Sequence, residues 1–117
     1  MKKNIVLGAI AIAIAASMFV SINASAADKK TERLWSSKCA SCHGKDGKGK
    51  TEKGQKLQIR DMTSAEFQNT SDAVFKKAIL DGVTKEKAGV KQEMDAYKDE
   101  LKPGEADALV AMIRELK

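Results

Sequence analysis

The chain has 117 residues, of which 43% are hydrophobic and 32% charged, with a formal net charge of +5. This is the size of one domain. Two cysteines and one histidine are too few for a four-ligand zinc site built from these residue types. The basic residues are not interleaved with aromatics, which argues against nucleic-acid binding.

Met1-Lys2-Lys3 is a short basic start, and residues 4–27 are uncharged and rich in Ala and Ile. Ala24-Ser25-Ala26 has the small-x-small pattern cut by a signal peptidase. A secretory signal peptide over residues 1–26 is therefore expected, with a domain over 27–117 exported to the periplasm. The alternative is an uncleaved leader that anchors the chain, because the apolar run from Ile5 to Ile22 could nearly span a bilayer. No Cys follows the cut directly, which argues against a lipid anchor. Beyond residue 26 there are 19 basic and 16 acidic residues, so the exported domain carries only +3. A domain of this size buries a marginal core and often relies on a disulfide, metal or cofactor.

In chain order, a helix is expected from about Asp28 into the Cys39 region. A Gly- and Lys-rich loop follows over residues 44–56. Thr63-Ser64-Ala65-Glu66 reads as a capping box that opens a short helical turn. Ser71 caps a firmer helix in which Phe75, Ala78 and Ile79 share a face, and Gly82 stops it. Residues 83–101 read mostly as loop. The last helix is expected to start at Pro103, with Glu105 in its first turn. Its apolar stripe is Ala106, Leu109, Val110, Ile113 and Leu116. Without a confident strand pair, the fold class is all-α: three to four helices whose long loops need something to wrap around.

Cys39-Ala40-Ser41-Cys42-His43 is C-x-x-C-H, the pattern of covalent haem attachment. Two thiols three apart on one helical turn can each form a thioether with a haem vinyl group, and the adjacent imidazole can swing under the iron. His43 is also the chain's one histidine, which excludes bis-His ligation. The same spacing also serves a Cys39–Cys42 disulfide in an oxidising compartment, or a thioredoxin-like redox motif. The latter normally sits in a βαβ pattern, which is absent here. For the other face of the iron, the candidates are Met62, Met94, Met112, a lysine or no ligand.

From Leu34 to the C-terminus the chain resembles class I cytochrome c of the short bacterial monohaem type. The resemblance rests on Leu34-Trp35, on Cys39 to Gly44, on Met94-Asp95-Ala96-Tyr97-Lys98-Asp99-Glu100-Leu101, and on Glu105 to Leu116. It implies a cytochrome c-like fold around one covalent haem c. Cys39 and Cys42 would attach the haem, and His43 and Met94 would be its axial ligands. The first and last helices would cross beside the haem, with Leu34 and Trp35 against Leu109 and Ile113. Asp95 stands where the family has Pro, and Met112 where it commonly has an aromatic.

The haem pocket is expected to be lined by Leu57, Ile59, Phe67, Phe75, Ile79, Tyr97 and Leu101. Tyr97 and Arg60 are candidates for contact with the haem propionates. With both axial positions closed, the expected function is single-electron transport rather than catalysis. The alternatives are a haem sensor or peroxidase-like protein with an open or displaceable sixth position, and a haem-free binding module held by the disulfide. Residues 38–60 carry a net charge of +5, while the rest of the exported domain sums to −2. Such a Lys-rich surface near the haem edge would steer acidic redox partners.

Overall fold

The structure is a computed structural model that describes residues 25–117. The expected signal peptide lies outside the described residues except for its last two positions. Helix α1 spans Ser25–Leu34 and runs on through one π-helical turn, Trp35–Cys39, into the short helix α2, Ala40–His43. In that turn the Ala40 N–H donates to the Trp35 carbonyl, one residue further back than in an α-helix.

The segment expected to be loop over 44–56 contains a helix, α3, at Glu52–Lys56. Thr51 caps it by accepting from the Gly54 N–H. Gly54, a poor helix former, hides this helix in the sequence. Its place in the packing explains the glycine, because a Cβ there would lie 2.4 Å from the carbonyls of both Cys42 and Gly49. Helix α4 is Ala65–Gln68, and its cap is Ser64 rather than Thr63. Thr63 instead donates its N–H and its hydroxyl to the Asp61 carboxylate, at 2.8 and 2.6 Å. Helix α5, Asp72–Asp81, is capped by Ser71 and ended by Gly82 at φ +73°, as its sequence predicts.

Residues 83–101 correct the all-α expectation. Strand β1, Val83–Lys87, pairs antiparallel with β2, Val90–Met94, in a register that sets Val83 opposite Met94 and Lys85 opposite Gln92. The two-residue connection Ala88-Gly89 has positive φ at both positions, +49° and +77°, as the twist of a tight hairpin requires. Ala is a poor residue for that geometry, and neither strand alternates cleanly between apolar and polar. The usual signals of a hairpin are therefore missing.

Helix α6 spans Glu105–Arg114 and begins two residues later than expected, after Gly104 at φ +85°. Leu116 lies beyond its end. Ala106, Leu109, Val110 and Ile113 are buried with Trp35, Cys39, Met62, Phe75 and Ile79 in one core, and Leu34 packs on its edge. This brings the first and last helices together as the resemblance implies. Lys30 on α1 pairs with Glu105 on α6 at 2.8 Å. Arg114 ties the far end of α6 to the end of α4 and the start of α5: it pairs with Asp72 at 2.7 Å, donates to the Gln68 and Thr70 carbonyls, and lies 4.6 Å over the Phe75 ring. Among the described residues no helix is long and apolar enough to cross a membrane.

Candidate functional site

The π turn delivers the Cys-x-x-Cys-His segment to the core. Trp35 opens the turn at 3% exposure, and Cys39 closes it at 8%. The Trp35 indole N–H donates to the Gly44 carbonyl at 3.0 Å, and its ring centroid lies 6.0 Å from that of His43. One buried side chain therefore fixes the backbone just past His43 and flanks the imidazole. On the other side, the Thr51 hydroxyl lies 2.8 Å from the Ser41 carbonyl and 3.0 Å from that of Cys42. The close approach of Gly54 seats α3 directly on the same segment.

Cys39, Cys42 and His43 face a cavity of about 680 Å³. Both cysteines are free thiols. Burial pushes the Cys39 thiol up to about 11, against the opposing pull of Lys38, so it stays protonated at neutral pH. Burial lowers His43 to about 4, which keeps the imidazole neutral, the state in which a nitrogen can bind a metal. Its Nδ1 is buried without a hydrogen-bond partner among the described residues.

The same cavity is also lined by Met94, at the end of β2. Gly82 allows the close approach that seats it, since a Cβ there would fall 2.5 Å from the Met94 carbonyl. Just beyond, the Tyr97 N–H donates to the Ile79 carbonyl at 3.0 Å, and the Lys98 N–H to the Leu80 carbonyl at 3.1 Å. The Tyr97 hydroxyl donates to the Lys38 carbonyl at 3.0 Å, which links this segment to the residue before Cys39. Lys38 itself pairs with Glu100.

Met62 lines the same cavity, but its N–H donates to the Gly47 carbonyl at 2.9 Å, so it is tied to the loop that leaves His43. Met112 packs against the core and does not line the cavity. Met62 and Met94 thus both line the cavity, Met62 on the loop after His43 and Met94 at the end of the hairpin.

Six of the seven expected lining residues, Leu57, Ile59, Phe67, Phe75, Ile79 and Tyr97, line the cavity. Leu101 does not; it packs on the outside of the core. Arg60 lines the cavity while pairing with Glu66 at 3.2 Å and lying 5.1 Å over the Phe67 ring. The lining also includes Val74, Val83 and Gln92, which sequence reasoning did not single out. Val83 and Gln92 belong to the unforeseen hairpin. Gln92 gave no local signal, because a Gln in a charged stretch reads as solvent-exposed.

These residues fit haem c. Two thiols three apart, a neutral imidazole and the Met94 thioether line one cavity whose remaining lining is largely apolar. The cavity lies within the range of about 300–1,000 Å³ typical of cofactor sites. Comparison with known proteins agrees. Residues 26–113 match the family described as cytochrome c oxidase, cbb3-type, subunit III. Among solved structures, the KustC0563 c-type cytochrome is 33% identical, with a TM-score of 0.61 over 74% of this chain and 96% of its own. A tyrosine-to-phenylalanine mutant of Kustc0563 is 31% identical, with a TM-score of 0.55 over 74% of this chain and 98% of its own. No curated protein matches. The chain therefore belongs to the cbb3-type cytochrome c family, as a small class I-like c-type cytochrome whose chemistry is haem-based electron transfer.

Proposed function

We propose that this protein is a periplasmic single-electron carrier with one haem c, attached through Cys39 and Cys42 and ligated axially by His43 and Met94. The observation that carries the reading is that these four side chains line one largely apolar cavity, three of them from the π turn and α2 and Met94 from the end of the hairpin. The bound group supplies a one-electron ferrous–ferric couple. Cys39 and Cys42 would hold the group through one thioether each, and His43 and Met94 would supply its iron with a nitrogen and a sulfur. A protonated Cys39 and a neutral His43 suit these roles.

The surrounding residues define how such a carrier works. Phe67, Phe75, Ile79, Leu57 and Ile59 exclude water, which disfavours the extra charge of the ferric state. A Met sulfur at the sixth position favours the ferrous state further and raises the potential. With both axial positions taken by the chain's own side chains, no position is left for a substrate, and the protein acts as a carrier rather than an enzyme. Export follows cleavage of the signal peptide after Ala26.

The Lys-rich surface is the docking face for acidic redox partners. Lys38, Lys56 and Arg60 are engaged with Glu100, Glu52 and Glu66. Lys45, Lys48, Lys50 and Lys53 have no ion pair among the described residues, and all are exposed but Lys48, which is half-buried. These four are the charges available for steering.

The test is a redox-titrated optical spectrum of protein recovered from the periplasm, whose sequenced N-terminus is expected at Ala27 or Asp28. The haem should survive acid-acetone extraction. Met94→Ala should abolish the red iron–thioether band of the ferric state and lower the potential, and Met62→Ala should do neither. The opposite pattern in the two variants would overturn the ligand assignment.

A further inference from the structure

Met94 sits at the end of a hairpin that is mostly solvent-exposed. Gln92 is the only buried residue of either strand, at 9% exposure. Its Nε2 donates to the Leu57 carbonyl at 2.6 Å and to the Gln58 carbonyl at 2.9 Å. Among the described residues, these are the only hydrogen bonds from residues 83–94 to the rest of the protein. Both acceptors lie just after α3, the helix seated on the Cys42 carbonyl through Gly54. Gln58 holds φ +50°, an unusual backbone for a non-glycine residue, and its carbonyl is one of the two that Gln92 bonds.

Side chains two apart on a strand share a face. Gln92 and Met94 therefore point the same way, and both line the cavity. The Tyr97 side of Met94 is fixed by hydrogen bonds to α5 and to Lys38. On the hairpin side, Met94 pairs with Val83 beside Gly82, and Gln92 supplies the hairpin's side-chain tether to the segment after α3. Pro is absent after Met94, where Asp95 stands, so backbone rigidity at that position does not substitute for the tether.

We infer that Gln92 is a positioning residue that holds the Met94 sulfur at the sixth position. Losing its tether would convert a closed electron carrier into a haem protein that binds small external ligands. The inference rests on the assignment of Met94 as ligand. The open form is a minor population, and an external ligand that binds only the open form gains apparent affinity in proportion to that population.

The experiment uses the ferric holoprotein with imidazole as the probe. Gln92→Leu keeps the approximate bulk and removes both hydrogen bonds. It should tighten apparent imidazole binding about tenfold, the equivalent of about one net hydrogen bond. It should also weaken the iron–thioether band and lower the potential, while haem attachment stays complete. Gln92→Asn, one methylene shorter, should fall between Gln92→Leu and the parent, and it serves if Gln92→Leu does not fold. Thr84→Ala, an exposed change on the hairpin, should match the parent. Unchanged imidazole affinity, within twofold, in Gln92→Leu or in the substitute Gln92→Asn would overturn the inference, provided Met94→Ala still abolishes the band. If Met94→Ala keeps the band, the ligand assignment fails and the inference falls with it.

Discussion

Trp35 joins the α1–α6 core to the loop behind His43, and Trp35→Phe separates these roles from the rest of the molecule. The substitution keeps an aromatic ring in the core but removes the indole N–H that the Gly44 carbonyl accepts at 3.0 Å. Gly44 is buried, so its carbonyl loses a partner without ready access to water. An unsatisfied buried acceptor costs about 1–3 kcal/mol. Losing part of a buried ring at 3% exposure adds roughly 1 kcal/mol in transfer and cavity terms. The total is about 2–4 kcal/mol. At about 4–8 °C per kcal/mol for a domain of this size, the Tm should fall by at least about 8 °C. Thermal unfolding of the ferric holoprotein, followed by far-UV circular dichroism and by the Soret band, measures the change. Because the Gly44 peptide adjoins His43, the Soret transition should precede the loss of helix in the variant and coincide with it in the parent. A Tm drop below about 3 °C with coincident transitions would refute the reasoning, since it would mean that neither the hydrogen bond nor the ring contributes as their burial implies.

Two further predictions concern charge. Reversing Lys45, Lys48 and Lys50 together should slow electron transfer to an acidic redox protein at low salt and flatten its salt dependence, because the Debye length falls from about 10 Å at 0.1 M to about 3 Å at 1 M; an unchanged rate and slope would leave this loop as ordinary solvated surface. Glu105 is held below the usual carboxylate range, first by its hydrogen bond from Lys30 and then by the Lys102 N–H. A depressed folded-state value means stability that is present above the unfolded carboxylate pKa of about 4.3 and lost as pH falls through the folded one. Glu105→Gln should therefore be less stable than the parent at pH 7 in denaturant titrations, and the gap should close as pH falls from the unfolded carboxylate value through the lower folded one; a gap independent of pH would point to packing rather than charge.

The local chemistry of the site was legible in the sequence. The C-x-x-C-H spacing singles out Cys39, Cys42 and His43 because the three lie within five consecutive residues, and no long-range contact is needed to bring them together. The same holds for α5, where Ser71 and Gly82 start and stop a helix by their own backbone chemistry, and for the apolar stripe of α6. The resemblance to class I cytochrome c brought the first and last helices together, as their shared core and the Lys30–Glu105 pair show.

The hairpin, by contrast, is tertiary. Val83–Lys87 and Val90–Met94 have weak alternation, and Ala88 is a poor turn residue, so local preference alone does not favour strands there. The pairing is held in place by α5 ending at Gly82, by Tyr97 bonding back to α5, and by Gln92 reaching residues 57 and 58 more than 30 positions away. The backbone that carries each methionine was decided in the same way. Met62 and Met94 are both soft thioethers in polar stretches of sequence, and their backbone partners differ, Met62 bonding to the loop beyond His43 and Met94 pairing within the hairpin. Short-range chemistry is written in neighbouring residues, whereas a position set by partners distant in the chain becomes visible only when the chain has closed on itself.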